Sequence, residues 1–153
     1  MLSTGSKSPQ FTLQDLNGAP HSLTEFLSRG PVLLALYKIS CPVCQLTLPF
    51  HDRAAGGVLQ IVAISQDDAA ATRRFQTKFG VSMLTLLDRE EEGYPVSNAF
   101  GIAYVPSLFL IESDGTISLA SEGFMKNDLE AIGERAGVSL FRQDESVPAW
   151  KAG

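Results

Sequence analysis

The sequence predicts an α/β fold, a mixed central β-sheet with helices on both faces. Three observations predict it. Apolar runs alternate with helix-period segments through the middle of the chain, an order that gives a parallel core. The run Val32-Leu33-Leu34-Ala35-Leu36-Tyr37 is apolar at every position, as a strand covered on both faces must be. Later, the strand Ser107 to Ile111, the turn Asp114-Gly115 and the segment Thr116 to Ala120 have the pattern of an antiparallel hairpin, which makes the sheet mixed.

The elements follow in order. Residues 1–8 are rich in Ser, Thr, Gly and Lys and are expected to be loose. Phe11 to Leu13 alternates as a short strand, and Asn17-Gly18 marks a turn. Ser22 to Ser28 forms a helical turn with Ser22 or Thr24 as its cap. Gly30-Pro31 breaks the chain before the strand at 32–38. The next helix starts at Pro42, because a proline at the first helical position loses no hydrogen bond. Leu46, Leu48 and Phe50 supply apolar contacts, Pro49 is expected to kink the helix, and Gly56-Gly57 ends it. Val58 to Ile64 is a strand. Asp67 and Asp68 open a helix to Lys78, with Phe75 and Phe79 at helical spacing and Gly80 as its stop. Leu84 to Leu87 is a short strand, residues 88–93 an acidic loop, and Val96 to Phe100 a short helix. Asp128 to Ala136 is the last helix, capped by Gly137. One domain over residues 9–138 is expected, with an extension at 139–153 that carries Phe141 and Trp150.

Composition narrows the function. At 153 residues the chain buries roughly two-thirds of its unfolded surface and needs neither a disulfide staple nor a metal to fold. A net charge of -5 argues against a nucleic-acid surface and against anionic membranes. No apolar run is long enough to span a bilayer. The N-terminus lacks the apolar core of a signal peptide, so the chain as written is expected in the cytoplasm; a form already relieved of a leader would read the same and belong to the periplasm.

The two cysteines of the chain are Cys41 and Cys44, in Cys41-Pro42-Val43-Cys44. They stand where the buried strand turns into a helix. At this spacing the sulfurs can be bridged by a short disulfide or parted as two thiols with little backbone movement. The helix N-terminus sets unpaired N–H groups and a positive partial charge beside the first sulfur, which is expected to lower the pKa of Cys41 and make it the attacking thiolate. A metal is the rival use. His51 lies seven residues after Cys44, roughly 10 Å along the helix, too far to share one ion with the pair. His21 lies in a loop. Both histidines are expected to be exposed or capping, and no metal site is expected. Lys38 either aids the thiolate or extends to solvent.

With the Cys-x-x-Cys turn, Val105-Pro106 opening a strand, and the Asp114-Gly115 hairpin in this order, the chain resembles the thioredoxin superfamily. Within it, the chain is similar to the bacterial thiol:disulfide interchange branch of TlpA- and ResA-like proteins in the redoxin/AhpC-TSA grouping. Further matches are Pro9-Gln10-Phe11, Leu48-Pro49, Ile61 to Ile64, Phe79-Gly80-Val81, Leu87-Asp88 and Ala99-Phe100-Gly101-Ile102.

The resemblance implies a thioredoxin-like fold and a thiol:disulfide oxidoreductase in which Cys41 attacks and Cys44 resolves the mixed disulfide. It implies a cis-Pro106 that, with Val105, shapes the groove, and a redox potential tuned by Pro42 and Val43. No cofactor is needed. The implied partners are protein disulfides or dithiols and a redox partner protein or thiol pool, and a monomer is expected. Ser40 stands where the family has Trp, which opens the surface. Ala35 and Thr47 stand where the family places a buried acid, so no matching carboxylate takes the proton from Cys44, and resolution is expected to be slow or pH-dependent.

Two alternatives stay open. A peroxiredoxin-type peroxidase would want Thr and Pro where the chain has Lys38 and Leu34. A redox-inactive binding module would use Ile39, Val43, Ile102, Tyr104 and Val105 as an apolar patch, unless these residues are core.

Overall fold

The computed structural model describes residues 1–153. Its centre is a five-stranded sheet in the order β5-β4-β3-β6-β7, built from β3 (Val32–Tyr37), β4 (Gln60–Ser65), β5 (Thr85–Leu87), β6 (Ser107–Ile111) and β7 (Ile117–Glu122). The pairs β3/β4 and β4/β5 are parallel; β6 runs antiparallel to β3, and β7 to β6. This is the mixed sheet expected from the sequence.

Because side chains alternate along a strand, β3 feeds two cores. Leu33, Ala35 and Tyr37 face one side, with α2 (Pro42–Ala54), α3 (Ala69–Phe79) and α5 (Lys126–Ala136). Val32, Leu34 and Leu36 face the other, with α1 (Leu23–Arg29) and Phe100, which follows α4 (Pro95–Ala99). All six β3 residues are buried, which explains the unbroken apolar run.

The helix ends follow their caps. Ser22 accepts the Glu25 N–H at the start of α1, and Asp68 accepts the Ala71 N–H at the start of α3. Thus α3 begins at Ala69, with Asp68 outside it. Helix α2 runs through Pro49 to Ala54; Pro49 has no N–H to offer the Gln45 carbonyl. Two ends lie beyond the sequence expectation. Strand β7 continues past Ala120 to Glu122, and α5 starts at Lys126, two residues before Asp128, whose carboxylate accepts the Ser121 hydroxyl at 2.6 Å.

Three short strands were not expected. β2 (Pro20–Ser22) pairs with β1 (Thr12–Gln14), and β9 (Trp150–Lys151) pairs with β8 (Phe124–Met125). Residues 1–8, which their composition marks as loose, bond to the rim of the hairpin: Gly5 N–H to Ile117, Ser8 N–H to Gly115, and Lys7 bridged to Thr116. The segment 139–153 lies on the domain. Arg53 of α2 holds Glu145 with two 2.7 Å bonds and also donates to the Leu140 carbonyl. Phe141 packs on Phe50 at 4.9 Å between ring centres.

Candidate active site

Cys41 is the N-cap of α2, and its sulfur accepts the Cys44 N–H at 3.1 Å. An orphan amide of the helix start is therefore aimed at the thiol. The Cys41 thiol donates to the Val105 carbonyl at 3.4 Å, and the Val105–Pro106 peptide is cis. Cys41 is half-buried, while Cys44, one turn deeper, is fully buried. Burial pushes the Cys44 thiol far above its ordinary range, with the Cys41 contact and the negative field of Asp67 adding to it.

No carboxylate is a hydrogen-bond partner of the Cys44 sulfur. The Asp67 carboxylate instead accepts the Ile39 N–H at 2.8 Å, while Gln45 donates to the Ile39 carbonyl at 3.1 Å. Both backbone groups of Ile39, two residues before Cys41, are thus pinned from different elements. The buried Tyr37 hydroxyl has no partner, and burial also raises its pKa.

A cavity of about 480 Å³ opens beside Cys41, with Pro42, Ile102, Tyr104 and Val105 on its walls. Lys38, Tyr94, Ser97, Asn98 and Gly153 are also on its lining. Pro106 lies buried behind Val105. Of the residues singled out in the sequence, Cys41, Pro42 and Val105 meet here. Val43 packs against the core instead, and exposed Ser40 is not on the wall. The apolar patch divides the same way: Ile102, Tyr104 and Val105 line the cavity, whereas Ile39 joins the core. Lys38 is exposed at the rim.

His51 corrects an expectation. It is fully buried, with neither ring nitrogen bonded, and it caps nothing. It falls on the same face of α2 as Cys44, Thr47 and Leu48, which the i, i+3, i+4, i+7 spacing turns toward the sheet. Desolvation pushes its pKa down to about 3. His21 bonds to Asp15 at 2.9 Å.

Sequence reasoning missed the far wall. Tyr94 sits in the left-handed region at φ 50°, a conformation that non-glycine residues adopt at a cost. It precedes α4, whose first amides are held by Asp88: Val96 N–H at 2.9 Å, Ser97 N–H at 2.8 Å and the Ser97 hydroxyl at 2.6 Å. Asp88 is fully buried and does the work of a cap from outside the helix. The available signal was Pro95 at a helix start with no Ser, Thr or Asp directly before it. Asp88→Ala is expected to lower stability by about 2–3 kcal/mol, because three donors lose a charged acceptor, while Asp88→Asn should retain part of it. Urea unfolding of the two variants checks this; equal, negligible losses would contradict it.

The fold and the paired thiols define an oxidoreductase of thioredoxin-like architecture. The Redoxin family model matches residues 3–134. The chain belongs to the Redoxin family. It is 29% identical over 142 residues to thiol-disulfide oxidoreductase ResA of Geobacillus thermodenitrificans, covering 86% of this chain and 79% of that one. It is 32% identical over 130 residues to a chloroplastic peroxiredoxin Q of Gentiana triflora, covering 77% of this chain and 58% of that one. Among solved structures, the thioredoxin domain of a Bacteroides vulgatus thiol-disulfide oxidoreductase superposes with a TM-score of 0.76 at 21% identity, covering 88% of this chain and 98% of that one. No helix of the protein is long and apolar enough to cross a membrane.

Proposed function

We propose that the protein exchanges disulfides with protein substrates through Cys41 and Cys44. The observation that carries this reading is the stacking of a half-exposed sulfur over a buried one at a helix start, with the outer sulfur at the mouth of an apolar-walled cavity. In the reducing direction the Cys41 thiolate attacks one sulfur of a substrate disulfide. A Cys41–substrate bond forms, the substrate S–S bond breaks, and the other substrate sulfur leaves as a thiolate that takes a proton from solvent. Cys44 then loses its proton and attacks the Cys41 sulfur. The Cys41–Cys44 disulfide forms and the second substrate thiol departs, so two electrons have moved from the pair to the substrate. A partner reductase or thiol pool restores the dithiol, and run backward the same steps oxidise a substrate. Val105 and Pro106 shape the docking rim, and Pro42 and Val43 tune the potential. ResA-type relatives support this reading.

Equilibration of the pair against glutathione and dithiothreitol buffers tests it. A potential near about -270 mV makes the protein a reductant, and one near about -120 mV an oxidant. A pair that forms no disulfide in any buffer would rule exchange out. The match to peroxiredoxin Q favours a second reading, peroxide reduction at Cys41. Lys38 and Leu34 stand where a peroxide pocket would want Thr and Pro, and peroxide consumption by the reduced protein decides between the two.

A further inference from the structure

The segment that follows α5 crosses the body of the protein and returns to the active site. Its path is fixed at three places: the Arg53–Glu145 clasp, the packing of Phe141 and Val147 on the core, and the Lys126 N–H bonded to the Ala149 carbonyl at 2.9 Å. Beyond these, β9 lies antiparallel on β8, with Met125 opposite Trp150 and Phe124 opposite Lys151.

The next residues pass over the rim beside Pro106. Gly123 donates its N–H to the Pro106 carbonyl at 2.8 Å, so it is the sheet neighbour of the cis-proline. The chain rides directly on it. A Cβ on Gly123 would fall 2.3 Å from the Lys151 carbonyl oxygen and 3.0 Å from the Gly153 nitrogen, and its φ of +74° already excludes most side chains. Gly153 closes on the groove in turn: a Cβ there would lie 2.4 Å from the Val105 carbonyl oxygen, the atom that the Cys41 thiol contacts. Gly153 is also part of the cavity wall.

We propose that Trp150–Gly153 are specificity-determining residues of the exchange reaction, forming a strap over the Val105–Gly123 side of the groove. This rests on the disulfide-exchange reading. The strap occupies backbone that a substrate chain flanking its disulfide would otherwise lie against. A small disulfide reaches half-buried Cys41 from the cavity without lying along that backbone. A polypeptide must displace the strap first, and its apparent affinity falls by the fraction of molecules in which the strap is open. The strap meets the body through backbone, at Gly123, at the Val105 carbonyl and along β8, and Trp150 is 63% exposed, so little apolar burial holds it down.

The test compares the full chain with a chain ended after Ala149, each assayed on 5,5′-dithiobis(2-nitrobenzoate) and on insulin. Shortening is expected to raise kcat/KM for insulin by at least about threefold while leaving the small disulfide unchanged. Equal changes on both substrates, or no gain on insulin, would overturn the strap. A full chain inactive on both would overturn disulfide exchange, and the strap with it. A second measurement uses the whole chain. In Cys44→Ser carrying an insulin B-chain peptide on Cys41, the backbone amides of the β8–β9 pair, where Phe124 faces Lys151 and Met125 faces Trp150, should exchange hydrogen faster than in the peptide-free protein. Unchanged protection would mean that the peptide binds without moving the strap, against the proposal.

Discussion

Cys41→Ser is expected to reduce disulfide exchange by about three orders of magnitude or more, since a hydroxyl at neutral pH provides almost no nucleophile where a thiol provides thiolate. Cys44→Ser is expected to behave differently. It retains the outer sulfur and should accumulate a covalent Cys41–substrate adduct, visible on a non-reducing gel and released by dithiothreitol. This asymmetry follows from depth: Cys41 is reachable, whereas Cys44 is sealed under it and reaches only Cys41. A pH dependence follows as well. Burial holds the Cys44 thiol high, and no carboxylate bonds to it. The rate of adduct breakdown in the unsubstituted protein should therefore rise about tenfold per pH unit between about pH 6 and 9, following the thiolate fraction. Equal activity of the two serine variants would refute the assignment of roles. A flat pH profile for breakdown would mean that some other group accepts the Cys44 proton.

Acid is expected to destabilise the protein in an unusual window, through His51. Its unfolded value is 6.5, and in the folded protein burial lowers it to about 3. The folded state therefore excludes a proton that the unfolded chain accepts. Above about pH 6.5 the penalty is absent; below it, stability falls by about 1.4 kcal/mol per pH unit until the folded group titrates near 3, where the loss levels off. His51→Leu removes the titrating ring and two unpaired buried nitrogens. This variant should match or exceed the parent in urea at pH 7.5, and its advantage should grow by about tenfold in the unfolding constant for each unit from about pH 6.5 down to about pH 5. Parallel stability curves for the two proteins across that range would show that His51 is not the group responsible.

What the sequence determined is what neighbouring residues can decide among themselves. The apolar run at 32–37 can only be a strand covered on both faces. Asp114-Gly115 can only be a tight turn between strands. A proline directly after Cys41 starts a helix and leaves the sulfur at its end. These are questions of backbone dihedral preference and of side-chain period over a few residues, and from them came the mixed sheet and the cysteine turn.

Tertiary structure decided the rest, because it depends on which distant groups compete for the same buried space. His51 looks like any polar helix residue until the sheet covers its face of α2. Asp88 reads as part of an acidic loop until α4 folds back and presents two unpaired amides to it. Residues 139–153 show no strong period and few turn signals, and composition leaves them as an appendage. They lie where they do because Glu145 meets Arg53 from 92 positions away and because Gly123 has no side chain to block their path. Such contacts depend on the whole fold being in place, so no local pattern in the chain records them.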